Sequence, residues 1–135
     1  MSAFAWKPEY SVSVSLLDAQ HKKLFSLAQN LQDAMSAGRG REVLAKCLSE
    51  LVDYTKKHFG EEEFLLMRHN SPDLAQHRLQ HSQLIKKIAG FQQQFAEGKA
   101  LITIELMDFI RSWIAEHILQ TDMQYADFFN RLGVY

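Results

Sequence analysis

The sequence contains a single cysteine, Cys47, so an intramolecular disulfide and a thiolate metal cluster are both excluded. Its formal net charge of −1 gives no electrostatic reason to expect nucleic acid or an anionic membrane as a partner. No run of about 18 apolar residues is present, and the N-terminus lacks the basic and apolar regions of a signal peptide. These absences favour a protein of a reducing compartment, and we expect it in the cytoplasm.

Proline and glycine are also scarce, with two and six residues, and their positions divide the chain. Pro8 falls in an N-terminal arm, and the breakers at 38–40, 71–72 and 98 separate four stretches of helical periodicity. Strand-like alternation occurs only in Ser-Val-Ser-Val-Ser at 11–15, so we interpret residues 1–15 as an extended arm. The pattern predicts one all-α domain over 1–135, an up-down-up-down antiparallel four-helix bundle. The expected helices span about 16–36, 41–68, 72–96 and 101–130.

Capping signals refine three of these helix ends. Ser15 is the expected N-cap of the first helix, with Asp18 at the third helical position. Ser71 is the expected cap of the third helix, with Pro72 in its first turn. Gly98 is suited to end that helix as a C′ glycine.

The apolar stripes of the predicted helices are interrupted by polar residues part-way along each helix. Two pairs have i, i+4 spacing, and the Cβ atoms of such pairs lie roughly 6 Å apart on one helix face. Mid-helix positions of antiparallel helices can meet at one level of the core. The interrupting residues are His21, His58, Glu62, His77, His81 and His117.

Asp122 lies five residues after His117, which is about 140° round an ideal α-helix. Either the two side chains reach inward from opposite flanks of the fourth helix, or a local π-type bulge realigns them. Periodicity alone does not nominate Asp122 for the core.

A lone core histidine is more often a hydrogen-bonded packing residue than a metal ligand. Five histidines and a glutamate on inward stripes are different, because buried polar groups are costly without a compensating ion. Imidazole and carboxylate ligands without sulfur suit iron, manganese or zinc. Five imidazoles exceed a mononuclear site, so we expect two ions. Two bridging carboxylates and a bridging oxide or hydroxide would then leave one coordination position open for a small ligand.

The ligand candidates resemble those of the hemerythrin family, and of bacterial hemerythrins in particular. The matching segments are DAQHKKLF, HFGEEEFLLM, HRLQH and WIAEHILQTD, preceded by an arm, FAWKPEYSVSVSLLDAQH, with Trp6 in the expected place. The resemblance covers almost the whole chain. It implies a non-haem centre of two Fe ions (Fe2+/Fe3+) with a bridging oxide or hydroxide, which binds O2 reversibly.

The resemblance also assigns a role to each ligand candidate. One iron is held by His77, His81 and His117. The other is held by His21 and His58 and carries the open position. The carboxylates of Glu62 and Asp122 bridge the two ions.

Residues around this centre are expected to shape the O2 pocket. The family usually has leucine where this chain has Ile114, and we expect Ile114 to keep the pocket dry. Trp113, Phe59 and Trp6 are expected to pack around the site, although core packing alone would explain them.

Three acidic residues near the ligands are harder to assign. Asp18 either orients an imidazole or caps the first helix. Glu61 and Glu63 fall on either flank of the stripe that contains Glu62, so we expect them to be boundary or solvated residues.

The function that we predict is reversible O2 binding by a carrier, a store or a sensor. The alternatives are a di-iron enzyme, or a protein that handles iron or nitric oxide with the same centre. Carboxylate-rich oxygen-activating bundles use Glu-x-x-His pairs, and no histidine here follows a glutamate at that spacing, so we predict no enzymatic activity. The expected partners are O2 and an O2-consuming enzyme, without nucleic acid or membrane, and the chain is expected to be a monomer.

Overall fold

The computed structural model of the protein describes residues 4–98 and 104–135. Three long helices come first, α1 (Ser15–Ser36), α2 (Arg41–Arg68) and α3 (Leu74–Ala96). The fourth is composite and consists of α4 (Ile104–Glu116), a π-helical turn (His117–Asp122) and α5 (Met123–Arg131). Helix α2 packs against α1 and α3, α1 also contacts α4, and no strand occurs in the described ranges. The predicted all-α antiparallel four-helix bundle is therefore confirmed.

Each helix buries one apolar stripe against the others, because its apolar residues recur every three or four positions. In α1 the buried residues include Leu17, Leu24 and Leu31, and in α4 they include Ile110 and Ile114. One level of this core is polar instead. The polar side chains buried there are Gln20, His21, Thr55, His58, Glu62, His77, His81 and Asp122.

Residues 4–14 of the N-terminal arm contain no strand or α-helix, and a short 3-10 helix occurs at Pro8–Tyr10. Its Ser-Val alternation reflects alternating exposure without strand pairing, since Val12 and Val14 are buried while Ser13 is exposed. Ser13 also adopts a left-handed conformation with φ of 58°. The valines therefore fix the arm to the bundle core.

The start of α1 differs from the prediction. Val14, not Ser15, occupies the N-cap position, and no side chain caps the helix. Asp18 instead accepts hydrogen bonds from the Val12 backbone N–H at 2.8 Å and from the Ser11 hydroxyl at 2.6 Å. Both predicted roles of Asp18 were wrong, because its carboxylate is occupied in holding the arm.

The third helix begins at Leu74, two residues later than predicted. The Ser71 hydroxyl accepts a hydrogen bond from the Asp73 backbone N–H at 3.2 Å, which places Pro72 in a turn before the helix. Gly98 follows the end of α3 with φ of 76°, as expected of a C′ glycine. Residues 101–103, the predicted start of the fourth helix, lie outside the described residues.

In the part of the chain that the structure describes, no helix combines the length and apolarity that a membrane span requires.

Candidate metal centre

The structure brings all seven ligand candidates together at the polar level of the core. Helix α1 contributes one residue, α2 and α3 contribute an i, i+4 pair each, and the π-helical turn contributes its first and last residues. Six of the seven are fully buried, and the side chain of His117 is only 8% exposed. The convergent residues are His21, His58, Glu62, His77, His81, His117 and Asp122.

The carboxylate of Glu62 lies among three imidazoles. Its oxygens are 3.1 Å from Nε2 of His58, 3.1 Å from Nε2 of His81 and 3.7 Å from Nε2 of His21. These rings come from three different helices. Glu62 therefore faces nitrogen atoms on two sides, which is the position that a bridging carboxylate requires.

The carboxylate of Asp122 is placed in the same way. Its oxygens are 3.1 Å from Nε2 of His21, 3.1 Å from Nε2 of His117 and 3.5 Å from Nε2 of His77. Among the described residues, two groups of four ligand atoms lie within 4.8 Å of one another, and both groups contain Glu62 and Asp122. One group adds His21 and His58, and the other adds His81 and His117.

The π-helical turn explains how Asp122 reaches the centre. A π-helix closes its hydrogen bonds at i→i+5, so residues five apart lie on one face, whereas an α-helix would separate them by about 140°. The turn runs from His117 to Asp122, and the two side chains meet at 3.1 Å. The bulge, and not an approach from opposite flanks, is therefore the alternative that the structure adopts.

Buried opposite charges shift the pKa values of the site. Burial would lower the pKa of His21, but its contacts with Asp122 and Glu62 outweigh burial and raise it to about 9. Burial would raise the pKa of Glu62, yet the neighbouring imidazoles of His21, His58 and His81 hold it well below its usual range. The pKa of Asp122 is likewise lowered, against burial and the Glu62 charge, by His117 and His21. The cluster thus favours carboxylates surrounded by positive charge.

The Nδ1 atoms of His58 and His81 have hydrogen-bond partners that the sequence pattern did not indicate. Nδ1 of His58 donates a hydrogen bond to Oε1 of Gln20 at 2.6 Å, and Gln20 donates in turn to Glu61. Nδ1 of His81 donates to Oε2 of Glu63 at 2.9 Å. The prediction that Glu61 and Glu63 are boundary or solvated residues was therefore incomplete, because each belongs to a hydrogen-bonded chain that reaches a ligand candidate.

Tyr125 is a second residue that the stripes did not reveal. Its hydroxyl donates a hydrogen bond to Oε2 of Glu62 at 3.1 Å, and its side chain is fully buried. Burial and the nearby Asp122 and Glu62 charges raise the pKa of Tyr125 well above its usual range, so it stays a donor. Tyr125 lies three residues after Asp122, and this spacing was the feature of the sequence that could have placed it near the site.

A small cavity of about 10 Å³ lies beside the cluster, which is roughly the space for one water-sized molecule. Ile114, Phe59 and Trp113 contribute to its wall. Trp6 lies elsewhere and packs edge-on against Tyr10 and Phe25. The full lining is His21, Leu24, His58, Phe59, Trp113, Ile114, His117, Ile118 and Asp122.

Two of these aromatic rings pack on ligand candidates. Phe59 stacks on His81 with ring centroids 3.7 Å apart, and Trp113 stacks on His117 at 6.4 Å. The rings limit how far the two imidazoles can turn.

Comparisons with known proteins agree with this architecture. The family model for the hemerythrin HHE cation binding domain matches residues 12–129. A bacteriohemerythrin of Methylococcus capsulatus is 31% identical over 127 residues, which cover 93% of this chain and 96% of the relative. A hemerythrin-like protein of Naegleria gruberi is 33% identical, with 92% of each chain covered.

Solved structures give the same result. A crystal structure of wild-type hemerythrin matches with a TM-score of 0.87 and 31% identity, covering 91% of this chain and 95% of that one. A mutant hemerythrin matches with a TM-score of 0.90 and 30% identity, covering 94% and 97%. With a family model that spans most of its length and relatives that align over more than nine-tenths of it, the chain belongs to the hemerythrin family.

Proposed function

We propose that the protein binds O2 reversibly at a di-iron centre, as a carrier, a store or a sensor. The observation that carries the proposal is the pair of ligand groups that share Glu62 and Asp122, with a water-sized cavity that residues of both groups line. A shared pair of carboxylates suits two cations held side by side.

The donor atoms fit iron. Nitrogen and carboxylate oxygen ligands without sulfur suit divalent iron. Several of these atoms have no hydrogen-bond partner among the described residues, including Nε2 of His21, His58 and His77 and both oxygens of Asp122. Buried polar atoms without partners are costly, and cations at the centre would satisfy them.

The five imidazoles divide between two ions. His77, His81 and His117 would hold one iron, and His21 and His58 would hold the other. Glu62 and Asp122 would bridge the ions, together with an oxide or hydroxide. A pair of ferrous ions supplies two electrons and an open position for O2.

The residues around the proposed centre must admit a diatomic molecule and exclude water. The cavity touches His21 and His58, and also His117 and Asp122, while its other walls are apolar. Ile114 is 2% exposed and closes this wall from α4. A dry pocket of this size accepts O2 and leaves no room for an organic substrate, which favours binding over an enzymatic reaction.

The test is to load the protein with iron, reduce it anaerobically, and then admit and remove O2 while recording the visible spectrum. Two irons per chain and a charge-transfer band that appears and disappears with O2 are expected. Irreversible oxidation with turnover of an added substrate would support an enzyme instead. Full occupancy by zinc without iron uptake would refute both functions. The cytoplasmic location, the monomeric state, the single-domain boundaries and an O2-consuming partner stay predictions.

A further inference from the structure

The two halves of the centre differ in what lies behind their imidazoles. In one half, Nδ1 of His81 donates directly to the carboxylate of Glu63 at 2.9 Å. In the other half, Nδ1 of His58 donates to the neutral amide of Gln20 at 2.6 Å. Both bonds fix the proton on Nδ1 and leave Nε2 free to face the cluster.

A carboxylate is also present behind His58, but it is one side chain further away. Gln20 donates its amide N–H to Glu61, so a neutral group separates that charge from the imidazole. A hydrogen bond made directly to an anion is stronger than one made to a neutral amide. The electrostatic effect of Glu63 on the His81 ring is therefore stronger than that of Glu61 on the His58 ring.

The cation beside Glu63 does not cancel this difference. Nε of Arg78 lies 3.5 Å from Oε1 of Glu63, but the Arg78 side chain is 54% exposed and the Glu63 side chain 24% exposed. Exposed ion pairs are strongly screened by water. The other imidazoles do not restore the balance either, since Nδ1 of His77 donates to a neutral acceptor, the Asp73 carbonyl. Nδ1 of His21 has no partner among the described residues.

We propose that Glu63 makes the His81 half of the centre the tighter of two cation sites, so that it fills before the His58 half. A carboxylate behind a metal-bound histidine orients the ring and strengthens it as a donor. Glu63 is thus a positioning residue that sets the order of loading, and the inference rests on the two-ion centre proposed above. Three imidazoles in this half act in the same direction, so a test must move the carboxylate alone.

The experiment is a titration of the metal-free protein with Zn2+ against a chromophoric chelator, which yields two stepwise affinities. Glu63→Gln keeps a hydrogen-bond acceptor and removes the charge. It should weaken the tighter affinity by about tenfold and leave the weaker one unchanged. Glu50→Gln, on an exposed part of α2, removes the same charge from the same helix and should change neither.

A second variant moves the charge without changing its total. Gln20→Glu combined with Glu61→Gln exchanges the amide and the carboxylate behind His58, so a direct carboxylate now faces this ring. The weaker affinity should rise by about tenfold, which brings the two halves closer together. This variant tests the idea by a gain of binding, which a loss of folding cannot imitate.

The outcomes separate this inference from the proposed function. If wild type binds two Zn2+ but both variants keep its affinities within about twofold, the loading order is wrong and the two-ion centre stands. If wild type binds fewer than two Zn2+ ions, both ideas are overturned.

Discussion

Truncation of Ile114 tests whether this side chain keeps water out of the pocket in addition to stabilising the core. The side chain is almost completely buried and forms part of the cavity wall. Ile114→Ala removes three buried carbons, worth about 0.8 kcal/mol each, and leaves a void that costs more. We expect a loss of about 3 kcal/mol in the free energy of unfolding, which lowers Tm by about 10 °C.

The same truncation should also accelerate autoxidation, the irreversible oxidation of the ferrous protein in air. The cavity now has space for about one water-sized molecule, and the lost side chain would add room for about two more. A hydrogen bond from an admitted water is worth about 1 kcal/mol, so the rate should rise by about five- to tenfold. The rate is read from the decay of the O2-dependent visible band in air-saturated buffer.

Ile110→Ala is the matched control for this experiment. Ile110 lies one turn earlier on α4, is 0% exposed and does not line the cavity. It should lose as much stability as Ile114→Ala while keeping the wild-type rate of autoxidation. Equal rates in the two variants would refute the assignment of Ile114 as a barrier to water.

Other consequences can be measured on the same protein. Glu62→Ala should lose bound iron because it removes the carboxylate that we propose both ions share, whereas Glu61→Ala should keep two irons per chain; equal iron contents would contradict the roles proposed for them. In the metal-free protein, the raised pKa of His21 adds stability below pH 6.5 that is lost as pH rises through about 9. The lowered pKa values of Glu62 and Asp122 add stability above about pH 4.5 that is lost in acid, so Tm should peak between about pH 4.5 and 6.5. Asp18→Ala should cost about 2 kcal/mol by releasing two arm hydrogen bonds while iron content stays unchanged, as judged by thermal unfolding and metal analysis.

The bundle and the six stripe residues could be predicted because helical periodicity reports directly which side chains face the core. His58 and Glu62 needed no tertiary information beyond their four-residue spacing. Asp122 was different. Its position depends on a single π-helical turn, and nothing in the periodicity around His117 decides between a bulge and an ordinary helix.

The partners behind the ligands escaped prediction for another reason. Gln20 and Glu63 lie outside the apolar periodicity of the predicted helices, at positions where sequence patterns indicate solvent, and each is placed by a contact between neighbouring helices. The predicted starts of α1 and α3 were wrong because local side-chain hydrogen bonds competed with helix capping. The Ser71 hydroxyl bonded a nearby backbone amide in a turn instead of capping α3, and Asp18 was engaged by the arm.

The π-helical turn also affects how the protein can be made. The first three helices contain His21, His58, Glu62, His77 and His81, but Asp122 and His117 arrive only with the fourth. A chain emerging from the ribosome therefore exposes most of the proposed metal centre before Asp122 has been synthesised. Cations captured at that stage would be held by an incomplete ligand set and could exchange. Final closure of the centre must await the last helix, so a fully loaded centre marks a chain whose synthesis has passed that helix.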